Sequence, residues 1–153
     1  MIWLGVDPGK SGGWAIIMDE AGEITITVHS WDDHLFVLSM DGLLDFKDKH
    51  RIVASVEKVG AMPHQGVVSM FNFGKSAGYI EGVLSALGIP YQLIPPSTWK
   101  REFSLIGKDK KASIEVCHKL FPEVDLKRTE RCKTDSDGKA ESLLLACYAR
   151  RHL

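Results

Sequence analysis

Residues 1–28 read MIWLGVDPGKSGGWAIIMDEAGEITITV, and this stretch decides the fold. Residues 2–6 are a short, mostly apolar run that stops at Asp7-Pro8-Gly9, where proline and glycine open a turn. Gly12-Gly13 leads into a second apolar run over 14–18, and Asp19-Glu20-Ala21-Gly22 supplies another turn. Residues 23–28 alternate and are β-branched, as in a strand. Three strands joined by short glycine-containing links predict an antiparallel meander.

Outward from this meander, Leu35, Leu38, Leu43 and Leu44 predict a helix, and residues 52–56 a buried-type strand that ends at Glu57. Residues 58–67, with Gly60, Pro63 and Gly66, form a loop. Residues 69–87 are helical in pattern despite Gly74, Gly78 and Gly82, each costing about 1 kcal/mol against alanine in a helix interior. Their spacing of four sets them on one face, where close approach of another backbone is the simplest reason for them. Residues 91–94 predict a fifth strand. Pro95-Pro96-Ser97-Thr98 starts a short helix that Ser97 or Thr98 can cap. A helix follows from 109 or 110 to 120, and a last one from 137 to about 151. Residues 122–136 between them are polar and predict a mobile loop. The class is α/β, with a five-stranded mixed sheet flanked by helices and no internal repeat or linker.

The chain of 153 residues has the length of one domain, spanning 1–153, and its 44% apolar and 25% charged residues are ordinary globular composition. No run approaches the ~20 apolar residues of a membrane span. Met1 to Asp7 has neither a basic start nor a cleavage site, so no secretory signal is expected. Cys117, Cys132 and Cys147 are odd in number and widely spaced, which fits reduced thiols in the cytoplasm better than disulfides or a zinc site. The formal net charge of −1 argues against a histone-like binder of nucleic acid, but it hides an asymmetry. Residues 1–57 hold 4 basic and 10 acidic side chains, a net of −6, whereas residues 58–153 hold 15 and 10, a net of +5. Such a split suits a basic face for a polyanion beside an acidic pocket for metal, although lysines on solvated helix faces produce it as well.

Asp7 and Glu57 each follow a buried-type strand. If those strands are parallel neighbours, both carboxylates emerge at one sheet edge, where a counter-charge has to offset their desolvation. Asp137 and Glu141, four apart, share one face of the last helix. Oxygen donors without a Cys or His pair suit Mg²⁺ or Mn²⁺. Two such ions about 4 Å apart are a usual arrangement for in-line phosphodiester hydrolysis. Each acid taken singly also has a plain structural explanation. Asp7 can cap the Pro8-Gly9 turn, Glu57 can pair with Lys58, Asp137 can cap its helix and Glu141 can be solvated. His29, His34, His50, His118 and His152 lack ligand spacing and read as surface or packing residues, and Trp99 as a packing anchor. Asp7-x-Gly9-x-x-Gly12-Gly13 also resembles the phosphate-binding turn of actin-like ATPases. Those proteins enclose their nucleotide between two domains, for which this chain is too short.

The order of elements matches the ribonuclease H-like fold, and specific segments resemble the RuvC-type Holliday junction resolvases, closest to the phage and chloroplast branch. The matching pieces are Trp3-Leu4-Gly5-Val6-Asp7-Pro8-Gly9 with Ser11-Gly12-Gly13; Val56-Glu57; Phe73-Gly74 with Gly78; Pro95-Pro96-Ser97-Thr98-Trp99-Lys100; Lys111-Ala112; Leu120-Phe121-Pro122; and Asp137-Gly138-Lys139-Ala140-Glu141-Ser142-Leu143-Leu144. The resemblance implies that Asp7, Glu57, Asp137 and Glu141 are metal-binding and catalytic, with Mg²⁺ as cofactor and Mn²⁺ as a substitute. In bacterial RuvC the last two acids are usually three apart; here they are four apart, with Asp135 close by, so the third ligand is Asp137 or Asp135. Lys100 and Lys111 match basic positions near the scissile phosphate. Lys10, Lys58, Phe73, Lys75, Arg101, Lys110 and Lys139 complete the candidate DNA contacts. The loop after Glu57 matches the region that probes the junction centre, making Met62, His64, Phe71 and Phe73 candidates for stacking or wedging there. The implied partners are a four-way junction and a second copy of the chain, with the glycine face of helix 69–87 either at that interface, against DNA or packed on the sheet. The implied activity is two-metal-ion junction cleavage leaving 5′-phosphate and 3′-hydroxyl ends. The alternatives are a nuclease for other branched DNA or RNA, and a junction-binding protein that does not cut.

Overall fold

The computed structural model describes residues 1–60 and 66–153. Five strands, β1 (Ile2–Asp7), β2 (Gly13–Glu20), β3 (Glu23–Ser30), β4 (Ile52–Glu57) and β5 (Tyr91–Ile94), form one sheet in the order β3-β2-β1-β4-β5. The meander β1-β2-β3 is antiparallel, while β4 and β5 run parallel to β1. Five helices are found among the described residues: α1 (Asp33–Leu44), α2 (Val67–Ala86), α3 (Pro96–Glu102), α4 (Lys111–Leu120) and α5 (Asp137–His152). This is the expected mixed sheet.

The central strand β1 is covered on both faces, which is why its residues lack alternation. Ile2, Leu4 and Val6 pack with Phe36 and Met40 of α1 and Ile80 and Leu84 of α2. Trp3 lies on the other face with Leu143, Leu144 and Ala146 of α5. Gly5 faces α5 as well: a Cβ there would meet the Ser142 carbonyl and the Ala146 nitrogen at 2.1 Å. On β4, Ser55 sits beside Gly5 and its hydroxyl donates to the Leu145 carbonyl at 2.6 Å. A missing side chain and one short hydrogen bond thus let α5 lie against the sheet.

Several local expectations change. Helix α2 starts two residues earlier than its pattern suggests. Its glycines Gly74, Gly78 and Gly82 are exposed, and a Cβ on any of them would have nothing within 4 Å, so they admit no backbone among the described residues. Neither Ser97 nor Thr98 caps α3, which begins with Pro96 at its first position; a proline there has no N–H to satisfy. Ser136, not Asp137, caps α5, its hydroxyl accepting from the Lys139 N–H. Residues 122–136 are tied down rather than loose. Leu126 is buried, the Ser136 N–H donates to the Leu126 carbonyl, and Lys127 pairs with Asp135 in a β-bridge.

Candidate active site

Alternation along the strands aims the first two acids. Residues 3, 5 and 7 of β1 and 53, 55 and 57 of β4 fall on the α5 side of the sheet. Because β1 and β4 pair with Val6 opposite Val56, Asp7 and Glu57 end adjacent strands together. Helix α5 crosses this edge with Ser142 against Gly5, which brings Glu141 beside Asp7. Oxygens of Asp7, Glu57 and Glu141 lie within 4.8 Å of one another.

Gly138 sets the height of that helix. A Cβ at Gly138 would strike the Ser11 carbonyl at 2.1 Å and the Gly12 Cα at 2.7 Å. A Cβ at Gly12 would in turn strike the Asp7 carbonyl at 2.0 Å. The space beside Gly12 and Gly13 is therefore filled by protein backbone and that beside Gly9 by the Phe73 ring, which removes the basis for reading the turn as a nucleotide-phosphate loop.

The acids crowd in a low-dielectric site. Burial, then the charges of Glu57, Glu141 and Asp137, hold the Asp7 carboxyl well above the usual carboxylate range. Burial also raises Glu57 and Glu141, against the lowering influence of Lys100 on both. Crowded, buried carboxylates are relieved either by taking up protons or by a compensating cation. Oxygen-only donors at this spacing fit a hard divalent ion, in line with the chemistry expected of Mg²⁺ or Mn²⁺.

Asp137 behaves differently. It stands at the rim with its carboxylate 2.9 Å from the Lys110 ammonium. Burial pushes it up, but the bonds to Lys110 and to backbone N–H groups outweigh that and leave it lowered. Asp135 is paired with His118 at 2.6 Å and does not line the cleft, whereas Asp137 does. Glu57 does not pair with Lys58; its Oε2 accepts from the Trp99 indole N–H at 2.8 Å. Trp99 is fully buried, so it is the expected packing anchor, but the sequence reading does not foresee its hydrogen bond to a site carboxylate. Its position just before Lys100, after a proline pair, is the available signal. Lys100 lies 3.5 Å from Glu141 and over the Trp99 ring.

The acids open into a cleft of about 1100 Å³ between the sheet edge and α2. Lys10, Phe73, Lys75 and Lys110 line it, and the Phe73 ring rests on Gly9, whose φ of +117° is glycine territory. Lys100 sits behind Glu141 in a smaller adjoining pocket. Lys58, Arg101, Lys111 and Lys139 lie outside the cleft wall. Phe71 is exposed on α2, and Met62 and His64 fall outside the described residues. Ser69, Asn72, Ser76 and Tyr79 of α2 line the far wall and are absent from the sequence-based candidates, because their polar spacing does not stand out among the glycines.

No family model matches the chain, and no curated protein sequence matches it. Solved structures do share its fold. A Thermus thermophilus RuvC in complex with a Holliday junction substrate matches 99% of this chain and 97% of its own at 15% identity, with a TM-score of 0.63. A second Thermus thermophilus RuvC structure matches 99% and 96% at 17% identity, with a TM-score of 0.56. The yeast mitochondrial Holliday junction resolvase Ydc2 matches 94% of this chain and 75% of its own at 13% identity, with a TM-score of 0.53.

Proposed function

Starting from this fold, shared with RuvC over nearly the whole chain, we propose that the protein is a structure-specific DNA endonuclease that resolves four-way junctions by two-metal-ion phosphodiester hydrolysis. The observation that carries the reading is the convergence of Asp7, Glu57 and Glu141 at the edge of a sheet with the RuvC fold. The neighbours' own descriptions, a RuvC with its Holliday junction and a junction resolvase from yeast mitochondria, supply the substrate class.

Asp7, the most buried acid of the group, would hold the cation together with Glu57 and Glu141. Asp137 joins when Lys110 is drawn from it to a DNA phosphate. Asp7, Glu57 and Glu141 would hold divalent cations, which when bound would supply water activation and charge stabilisation at the leaving 3′-oxygen. Trp99 fixes the Glu57 carboxylate, and Lys100 restrains Glu141. Lys10, Lys58, Lys75, Arg101, Lys111 and Lys139 hold phosphates, contributing affinity without reading sequence. Phe73 lies at the cleft wall where an unpaired base can stack. The products are 5′-phosphate and 3′-hydroxyl ends.

A second copy completes the assembly that cuts two strands of one junction. Val67, Val68 and Phe71 are 84, 74 and 71% exposed on one end of α2, beside the open face of Gly74 and Gly78, and this apolar surface favours self-association. Among the described residues no helix is long and apolar enough to cross a membrane, and the expected site of action is the cytoplasm or nucleoid.

The test is incubation of the protein with a synthetic immobile four-way junction and with linear duplex, with and without Mg²⁺. Ligatable nicks near the junction centre, only with the metal, are expected. Binding without cutting in any divalent ion supports instead the junction-binding alternative, and equal cutting of flaps, forks or RNA the broader nuclease.

A further inference from the structure

The segment that precedes α5 carries the densest group of cations in the chain, and none of the site chemistry above uses it. Lys127, Arg128, Arg131 and Lys133 fall within seven residues and face one acid, Glu130. All four are exposed, and among the described residues none forms an ion pair with a carboxylate. The flanking acids are engaged elsewhere: Asp125 accepts from the Lys127 backbone N–H at 2.9 Å, and Asp135 pairs with His118.

We propose that residues 127–133 form a second phosphate-binding element that grips a duplex arm leaving the cleavage site on the β3 side. The proposal rests on the nuclease reading and deepens it.

Register places the segment. Asp7 pairs with Gly13, and Gly13 with Ser30, so the end of β3 lies two strands from Asp7 along the same sheet edge. At about 4.8 Å per strand that is about 10 Å. The Ser30 hydroxyl donates to the Arg128 carbonyl at 3.4 Å, which joins the basic segment to this edge. The Lys127–Asp135 bridge and buried Leu126 close its base, immediately before the helix that carries Asp137 and Glu141. Lys100 and Lys110 stand on the acids themselves, so positive charge is found both at the acids and beyond them toward β3. A DNA strand advances about 3.4 Å per phosphate along its axis, so about three steps beyond the acids bring the backbone to Arg128. Four exposed cations within seven residues, with only Glu130 among them and no ion pair to a carboxylate among the described residues, match the regular anionic backbone of DNA.

The experiment compares Arg128→Ala/Arg131→Ala/Lys133→Ala with the parent, both carrying Asp7→Asn to prevent cutting. Fluorescence anisotropy follows binding of a labelled immobile junction over a salt series in Mg²⁺. Each lost phosphate contact removes about 0.9 from the slope of log K against log salt, so a decrease of about 2 to 3 is expected, with at least about 10-fold weaker binding near 0.1 M salt. With Asp7 intact, the triple variant should raise KM and leave kcat at saturating junction unchanged. The Arg128→Lys/Arg131→Lys variant should keep the parent slope, which separates charge from folding. An unchanged slope in the alanine variant overturns the proposal while junction cutting by the wild type keeps the nuclease reading. A reduced slope with no cutting by the wild type in any divalent ion keeps the phosphate-binding element and overturns the nuclease reading instead.

Discussion

The Trp99 indole N–H donates to Glu57 Oε2 at 2.8 Å from a fully buried ring. One oxygen of a site carboxylate is thereby fixed in direction while the other stays free. A hydrogen-bonding partner of this kind sets the orientation of a metal ligand and commonly governs affinity by about 10–100-fold when removed.

Trp99→Phe keeps most of the ring and deletes only this donor. Titration calorimetry with Mn²⁺ should show about 10-fold or more weaker binding, with a matching loss of junction cutting. Unchanged Mn²⁺ affinity in a folded Trp99→Phe protein would mean that Trp99 is a packing residue alone.

The crowded acids make stability depend on pH in a definite direction. Asp7, Glu57 and Glu141 are raised in the folded chain, so above about pH 4 the unfolded chain loses those protons first and the metal-free fold loses stability as pH rises. Divalent cations bind the ionised form, so the gain in Tm on adding Mg²⁺ should grow with pH. Asp7→Asn removes the central charge. It should flatten the metal-free pH profile, shrink the Mg²⁺ gain, retain junction binding and abolish cutting. Parallel scanning-calorimetry profiles for Asp7→Asn and wild type would refute the coupling, and full cutting by Asp7→Asn would refute the site.

Two glycine substitutions should move stability in opposite directions. Gly138→Ala drives a methyl group into the Ser11 carbonyl, at a cost of about 1–3 kcal/mol by urea unfolding, and shifts α5 enough to lower cutting. Gly78→Ala meets open space on an exposed helix and should stabilise the protomer by up to about 1 kcal/mol. A stability loss in Gly78→Ala would reveal a close neighbour at that face, such as a second copy.

Val68→Glu places a charge in the exposed apolar end of α2. Sedimentation equilibrium should show a self-associating wild type and a monomeric variant with unchanged circular dichroism. The same mass for both would exclude this end of α2 from the dimer contact.

DNA affinity should also fall without divalent ions, because the acids of the cleft then face the phosphates uncompensated. Anisotropy of the Asp7-intact protein in EDTA and in Ca²⁺ measures this, with tighter junction binding expected in Ca²⁺.

The sequence by itself determined the strand order of the meander and the helix and strand sequence that follows, and it offered four acids as candidates through a resemblance. Those are local signals: β-branched alternation over 23–28, turn residues at Pro8-Gly9, and a carboxylate at the end of each apolar run. Only the tertiary structure decided how the acids divide. Asp7, Glu57 and Glu141 converge because a parallel register, strand alternation and the glycine contacts at Gly5 and Gly138 act together. Asp137 is held back by Lys110, and Asp135 is paired with His118, through contacts between residues 17 or more positions apart. Trp99 gains its role in the same way, from a partner 42 residues away. Such pairings depend on which side chains packing brings within about 3 Å, and that distance is not written in the spacing of residues along the chain.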